Sequence, residues 1–149
     1  MEKEVKYIVS ACLAGFDCRY DCKNNENYFI CQLVKEGRAI PVCPEQLGGL
    51  PTPRDPSEIK FIDGKRCVIS KNGNLVTKEF ERGGEIVLGI AKKYSIRKAI
   101  LQERSPSCGL KTYDGTFSKT LTNNPGITAQ ILIDNGIEVI SSEKIKEEV

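Results

Sequence analysis

Short runs of apolar, mostly β-branched residues recur along the chain and predict four buried strands. These strands are predicted over Tyr7–Leu13, Ala39–Cys43, Lys98–Gln102 and Ile137–Ile140. Between them, apolar residues at helical spacing predict three helices. The helices are predicted over Tyr28–Glu36, Lys78–Tyr94 and Pro125–Asp134, the last with Asn124 as its N-cap. Strands that are apolar throughout and alternate with helices are typical of a parallel sheet covered on both faces. The pattern therefore predicts an α/β fold, a three-layer sandwich with a mostly parallel sheet.

Glycine, proline and asparagine mark the interruptions of this pattern. Turn signals on both sides of Arg66–Ser70 predict a small antiparallel hairpin beside the main sheet. The segment Gly48–Pro56 is rich in glycine and proline, so we expect an irregular, rigid loop that acts as a functional lid. No internal repeat or linker interrupts residues 1–149, which are predicted to form a single domain.

Composition narrows the choice of function. The chain has 22 basic and 20 acidic residues, a balance that does not indicate a nucleic acid or a membrane as partner. It has no histidine, which excludes histidine-based triads and metal sites. No run approaches the ~20 apolar residues of a membrane span, and Met1–Lys6 lacks the apolar block of a signal peptide, so we expect a cytoplasmic protein with reduced thiols.

Three of the seven cysteines share a position in the predicted fold. Cys12, Cys43 and Cys108 each fall at or just beyond the carboxyl end of a predicted strand, where open α/β sheets bind ligands. Three converging thiolates would suit zinc, copper(I) or an iron–sulfur cluster. Cysteines are also common as small buried hydrophobic residues, and that interpretation stays open for each of them. Four others have no such placement and are weaker candidates, with their roles left open: Cys18, Cys22, Cys31 and Cys67. Of these, Cys31 in a helix and Cys67 in a hairpin strand occupy ordinary burial sites.

Polar residues beside these cysteines add candidate chemistry. Glu45 follows Cys43 by two residues and is a candidate general base, although acidic residues also often begin a helix. Ser105 and Ser107 flank a proline ahead of Cys108, so their hydroxyls are expected to bind substrate or relay a proton, unless they only form a turn.

The charged side chains near Cys18 and in the predicted lid supply candidate substrate-binding groups. Arg19 and Arg54 could hold a phosphate or carboxylate, or orient Asp21 or Glu45. Exposure to solvent is the alternative for each of them.

Taken together, these motifs resemble the thiouracil desulfidase family, which is TudS-like and is also called domain of unknown function 523. The resemblance extends from about Val9 to Ser142. It rests on the segments Ser10–Gly15, Cys18–Asp21, Pro41–Leu50, Pro53-Arg54, Arg104–Gly109 and Gly126–Ala129. The chain departs from the family at Cys22, where glycine is usual, and at Phe16-Asp17, which leaves the substrate open.

The resemblance implies an enzyme that removes sulfur from thiolated uracil-type nucleobases or nucleosides. It implies a [4Fe-4S] cluster on Cys12, Cys43 and Cys108, with one iron open, and catalytic roles for Glu45 and Ser105. The mechanism that follows is hydrolysis without net electron transfer, with sulfide leaving on the open iron. We expect protein purified in air to lack the cluster.

The residues themselves are also compatible with two other functions. The same thiols would serve a non-catalytic metal-binding or sulfur-carrier protein. A small-molecule binding domain without any cluster, in which the cysteines are simply buried, is the other.

Overall fold

A computed structural model describes residues 4–145. Its elements in chain order are β1 (Tyr7–Ser10), a 3₁₀ helix (Ala11–Ala14), α1 (Tyr28–Lys35), β2 (Ala39–Val42), α2 (Pro44–Leu47), β3 (Ser57–Ile62), β4 (Lys65–Ser70), α3 (Thr77–Lys93), β5 (Lys98–Leu101), β6 (Thr112–Tyr113), β7 (Leu121–Thr122), α4 (Ile127–Asp134), β8 (Glu138–Ser141) and a second 3₁₀ helix (Ser142–Lys144). The main sheet has four strands in the order β2-β1-β5-β8, and all its neighbouring pairs are parallel.

The apolar residues of the sheet alternate between two faces, and each face has its own core. On one face Ile8, Ala99 and Leu101 pack with residues of α3 and α4. On the other face Val9 and Ile100 pack with residues of α1. Helices therefore cover the parallel sheet on both sides, and the predicted three-layer α/β sandwich is confirmed.

The β3–β4 hairpin lies outside these layers. Its antiparallel strands bury Ile59 and Val68 against Phe80 of α3 and Ile127 of α4. The hairpin is thereby fixed to the helical layer, beside the carboxyl edge of the main sheet. Among residues 4–145, no helix has both the length and the apolar character that crossing a bilayer requires.

The structure differs from the predicted elements at the ends that shape the site. The first strand ends at Ser10, and Cys12 and Leu13, which were predicted to continue it, lie in the 3₁₀ helix. Gly15 ends this helix with a φ of 91°, a conformation that glycine adopts without steric cost.

The predicted start of the last helix is wrong: α4 begins at Ile127, because backbone groups of Asn124 and Gly126 are hydrogen-bonded to the 109–112 segment instead. The short helix α2 was not predicted, and the hairpin was predicted without bounds for β3. The four-residue α2 is too short to show a helical period, and β3 carries charged residues among its apolar ones.

Candidate active site

A cavity of about 520 Å³ opens at the carboxyl edge of the sheet, beyond β2, β1 and β5. Cys12, Cys43 and Cys108 all line it. The three thiols come from segments far apart in sequence, and they meet here because the strands that precede them are neighbours in the sheet.

Cys43 is placed by a close contact between two helices. It is the N-cap residue of α2, and Pro44 occupies the first turn. A Cβ atom on Gly83 of α3 would lie only 1.8 Å from the Pro44 carbonyl oxygen, and a Cβ atom on Gly48 would lie 1.9 Å from the Glu79 carbonyl oxygen. The absence of side chains at these two glycines therefore lets α2 pack with its backbone directly against α3.

Cys108 is placed by the N-terminus of α4. The backbone N–H groups of Ile127 and Ala129 donate hydrogen bonds of 2.9 and 3.0 Å to the carbonyl oxygens of Pro106 and Ser107. The first N–H groups of a helix have no partner within the helix, so this loop supplies partners for them and is fixed in return. A Cβ atom on Gly126 would lie 2.6 Å from the Ser107 carbonyl carbon, so only glycine fits at this contact.

Cys18 brings a fourth thiol to the same cavity, although the strand pattern did not place it there. It is buried in one cluster with Cys12 and Cys43. The Cys43 thiol also donates a weak hydrogen bond of 3.7 Å to the Cys18 carbonyl oxygen. Cys18 lies in a loop between the first 3₁₀ helix and α1, where neither a period nor a Cys-x-x-Cys spacing marked it.

Three of the cavity cysteines have a raised pKa, which favours their protonated forms in the absence of a cation. Hydrogen bonding with Cys12, together with burial, raises the pKa of Cys18 to about 11. Burial raises the pKa of Cys108 to about 12. Hydrogen bonding with Cys18 and burial raise the pKa of Cys43 well above its usual range. A metal centre bound by these thiols must therefore displace their protons, as thiolate ligands generally require.

Glu45 lies in the first turn of α2 and is the centre of a hydrogen-bonded array. Arg54 Nε donates to Glu45 Oε1 at 3.0 Å, and Ser107 Oγ donates to Glu45 Oε2 at 2.9 Å. The ion pair is largely buried, since the side chains of Arg54 and Glu45 are 7% and 14% exposed. Both carboxylate oxygens are thus oriented, and the group still lines the cavity.

Ser105 and Ser107 form a chain of hydroxyl groups that leads to this carboxylate. Their Oγ atoms lie 3.0 Å apart. Ser105 Oγ accepts hydrogen bonds from the backbone N–H groups of Ser107 and Cys108, at 3.2 and 3.1 Å. With both lone pairs engaged, the Ser105 hydroxyl is left to donate, and the Ser107 hydroxyl in turn donates to Glu45. Ser107 is buried, whereas Ser105 is half-buried on the cavity wall.

The Arg54 guanidinium is hydrogen-bonded to several protein groups. Besides Glu45, its guanidinium donates to the carbonyl oxygens of Pro51 and Cys18, at 3.2 and 3.0 Å, and to Thr52 Oγ1 at 2.9 Å. These bonds connect the predicted lid segment to α2 and to the loop of Cys18. Of the two partners suggested for Arg54 from the sequence, the structure pairs it with Glu45.

Arg19 and Asp21 pair with each other. Arg19 Nη2 lies 3.1 Å from Asp21 Oδ2, and Arg19 Nη1 donates to Asn25 Oδ1 at 2.7 Å. Arg19 lines the cavity, and Asp21 lies next to it as its partner. The amide of Asn25 also donates a weak hydrogen bond of 3.9 Å to Cys12 Sγ.

The other three cysteines have different surroundings. Cys22 is exposed, Cys31 lies near Glu26 with its Sγ 3.6 Å from the carboxylate, and Cys67 is half-buried on β4. None of these three lines the cavity.

Comparisons with known proteins give a consistent result. The family model described as 2-thiouracil desulfurase matches residues 7–144. The chain is 37% identical to the uncharacterized protein YbbK of Bacillus subtilis over 147 residues, which cover 94% of this chain and 97% of the relative. Among solved structures, it is similar to the [4Fe-4S]-dependent thiouracil desulfidase TudS, with a TM-score of 0.86 and 41% sequence identity over 95% of this chain and 93% of that one.

Proposed function

Because the chain belongs to the 2-thiouracil desulfurase family, we propose that it is a [4Fe-4S]-dependent thiouracil desulfidase acting on a small thiolated nucleobase or nucleoside in the cytoplasm. The observation that carries the proposal is that soft thiols and an oriented acid–base array line the same cavity. A storage or carrier protein would need the thiols but has no evident use for the Glu45–Ser107–Ser105 array.

The residues present fit an iron–sulfur cluster. Thiolates are the ligands that such clusters prefer, and all four cavity cysteines are free thiols. Within residues 4–145, no three Cys, His, Asp or Glu side chains are close enough together to hold a single ion. The thiols are instead arranged around a cavity that has room for a larger group.

We assign the cluster to Cys12, Cys43 and Cys108, which follow the three neighbouring strands. With three protein ligands one iron stays open, and the cluster would supply a Lewis acid for the sulfur of the substrate. Cys18 is then a neighbour rather than a ligand. Cys18→Ser should therefore retain the full iron content. Loss of iron in that variant would mean that Cys18 is a ligand and that the assignment of the three ligands is wrong.

The protein groups account for the proton transfers of a hydrolytic reaction. Glu45 takes a proton from a water molecule, and the oxygen of that water attacks the thiocarbonyl carbon. The carbon–sulfur bond then breaks, the sulfur leaves with its electron pair, and the proton held by Glu45 is returned to the products. The thiocarbonyl and water become a carbonyl and hydrogen sulfide, so no oxidant or reductant is consumed.

The two serines and Arg54 support this step. Arg54 fixes one oxygen of Glu45 and keeps the carboxylate aimed at the cavity, while Ser107 fixes the other. Ser105 is the partly exposed end of the hydroxyl chain. Its hydroxyl has one hydrogen, so it donates a hydrogen bond to the heterocycle, or passes a proton to it, by turning that hydrogen away from Ser107.

The test is anaerobic reconstitution followed by 2-thiouracil turnover. We expect about four irons and four acid-labile sulfides per chain and a brown chromophore. Glu45→Gln should keep the cluster and lose turnover by about 10²-fold or more, the usual contribution of a general base. Glu81→Gln, the same change on the exposed side of α3, is the matched control. A colourless protein that binds zinc would instead favour the non-catalytic metal protein.

A further inference from the structure

A loop on the cavity wall folds around a buried carboxylate that the proposed reaction does not use. The carboxylate belongs to Glu58 of β3, which is 7% exposed. Its Oε1 accepts hydrogen bonds of 3.0 Å from the backbone N–H groups of both Gly115 and Phe117. One oxygen thus binds two amides of the 114–120 loop.

The backbone of the 114–120 loop has the alternation expected of an anion-binding nest. Gly115, Phe117 and Lys119 have φ values of 91°, 59° and 61°. Alternate left-handed residues turn successive N–H groups toward one point, and such concavities bind anions. Two of the three residues are not glycine and are disfavoured in this conformation, so the loop needs a partner that holds it.

Close packing against β3 also helps to hold the 114–120 loop beside Glu58. A Cβ atom on Gly115 would lie 2.7 Å from Lys60 Cβ and 2.9 Å from the Ile59 carbonyl oxygen. The loop ends are joined by the hydrogen bond from the Asp114 N–H to the Thr120 carbonyl oxygen, at 3.0 Å.

The loop matters for the site because Phe117 and Lys119 line the cavity. We propose that Glu58 is a positioning residue for substrate binding: its carboxylate fills the nest of the 114–120 loop and so holds Phe117 and Lys119 on the cavity wall. The expected effect on substrate binding rests on the proposed function, whereas the effect of Glu58 on the position of the loop does not. Glu58 also lines the cavity, and the role proposed for it is exerted through the loop and is separate from the proton transfers assigned to Glu45.

Two variants test the proposal by different routes. Glu58→Gln removes the charge but keeps an oxygen acceptor, and hydrogen bonds to charged acceptors are roughly twice as strong as neutral ones. Gly115→Ala keeps the charge but places a methyl group against β3. Glu81→Gln, on the exposed side of α3, controls for the change in net charge.

The first measurement is hydrogen exchange of the loop amides in the reconstituted protein, which requires no turnover. We expect exchange of the Gly115 and Phe117 amides to become about tenfold faster in Glu58→Gln, and exchange of the Phe117 amide to do so in Gly115→Ala, with no change in Glu81→Gln. Unchanged exchange in Glu58→Gln would overturn the proposal, whether or not the protein is a desulfidase.

The second measurement is steady-state kinetics with 2-thiouracil and the larger 2-thiouridine. Loss of a binding wall should raise KM for 2-thiouridine about five- to tenfold and leave kcat within about twofold, with the iron content unchanged. A fall in kcat at constant KM would mean that Glu58 acts on the chemistry, and no kinetic change would mean that the loop does not shape the site. Absence of any wild-type turnover with a full cluster would count against the proposed function alone.

Discussion

Replacing Gly83 by alanine should disturb the site from outside it. Gly83 lies in the middle of α3, and a Cβ atom there would be 1.8 Å from the Pro44 carbonyl oxygen and 2.7 Å from its carbon. Cβ atoms are essentially never closer than 3.0 Å to such an atom, so the backbone of α2 must move by more than 1 Å. Cys43 and Glu45 lie at the start of α2 and must move with it.

The expected effect on stability is modest. Alanine is favoured over glycine inside a helix by about 1 kcal/mol. Forcing an extra methyl group into a packed contact costs about 1–3 kcal/mol, so the net loss in free energy of unfolding is about 0–2 kcal/mol. The expected effect on turnover is larger, because a 1 Å misplacement of reacting groups can cost about 10²-fold.

Gly89 on the same helix provides the matched control. It is exposed, and an added Cβ atom would meet no atom within 4 Å. Gly89→Ala should therefore gain up to about 1 kcal/mol in stability and keep full turnover. Denaturant unfolding gives the free energies, and iron content with 2-thiouracil turnover gives the state of the site. If Gly83→Ala turned over as fast as Gly89→Ala, the packing of α2 on α3 would not be what positions Glu45.

The ion pair, the hydroxyl chain and the ligands give three further predictions. Arg54→Lys loses the several N–H donors of the guanidinium and leaves the buried Glu45 carboxylate poorly paired. Turnover should therefore fall at least about tenfold at unchanged iron content, and full activity would refute the positioning role of Arg54. Ser107→Ala removes a donor to that carboxylate, and kcat should fall about tenfold or more, with a rate equal to wild type arguing against the chain. Cys108→Ser should lose the cluster while Cys67→Ser keeps it, as iron analysis after reconstitution would show.

The sequence predicted the part of the site that depends on the sheet. Each of Cys12, Cys43 and Cys108 follows an apolar run, and parallel strands bring their carboxyl ends to one edge whatever their order. Placing these residues required only the strand pattern. Cys18 lies outside that rule, because its position depends on how a long loop returns to the cavity, and no local period describes such a return.

The contacts that orient the side chains depend instead on backbones lying close together. The segment of Cys43 and Glu45 packs on α3 through Gly83, the serine loop packs on the N-terminus of α4 through Gly126, and the 114–120 loop packs on β3 through Gly115. At each contact a methyl group would collide with backbone or with a side-chain stem, so the information lies in an absent side chain and in a partner distant in sequence. A glycine that serves this purpose looks like any glycine in a helix or turn, which is why the cavity walls could not be predicted from the pattern. Each contact fixes a different wall of the cavity. Substitutions at Gly83 and Gly126 should therefore affect metal binding and proton transfer, whereas a substitution at Gly115 should affect substrate affinity.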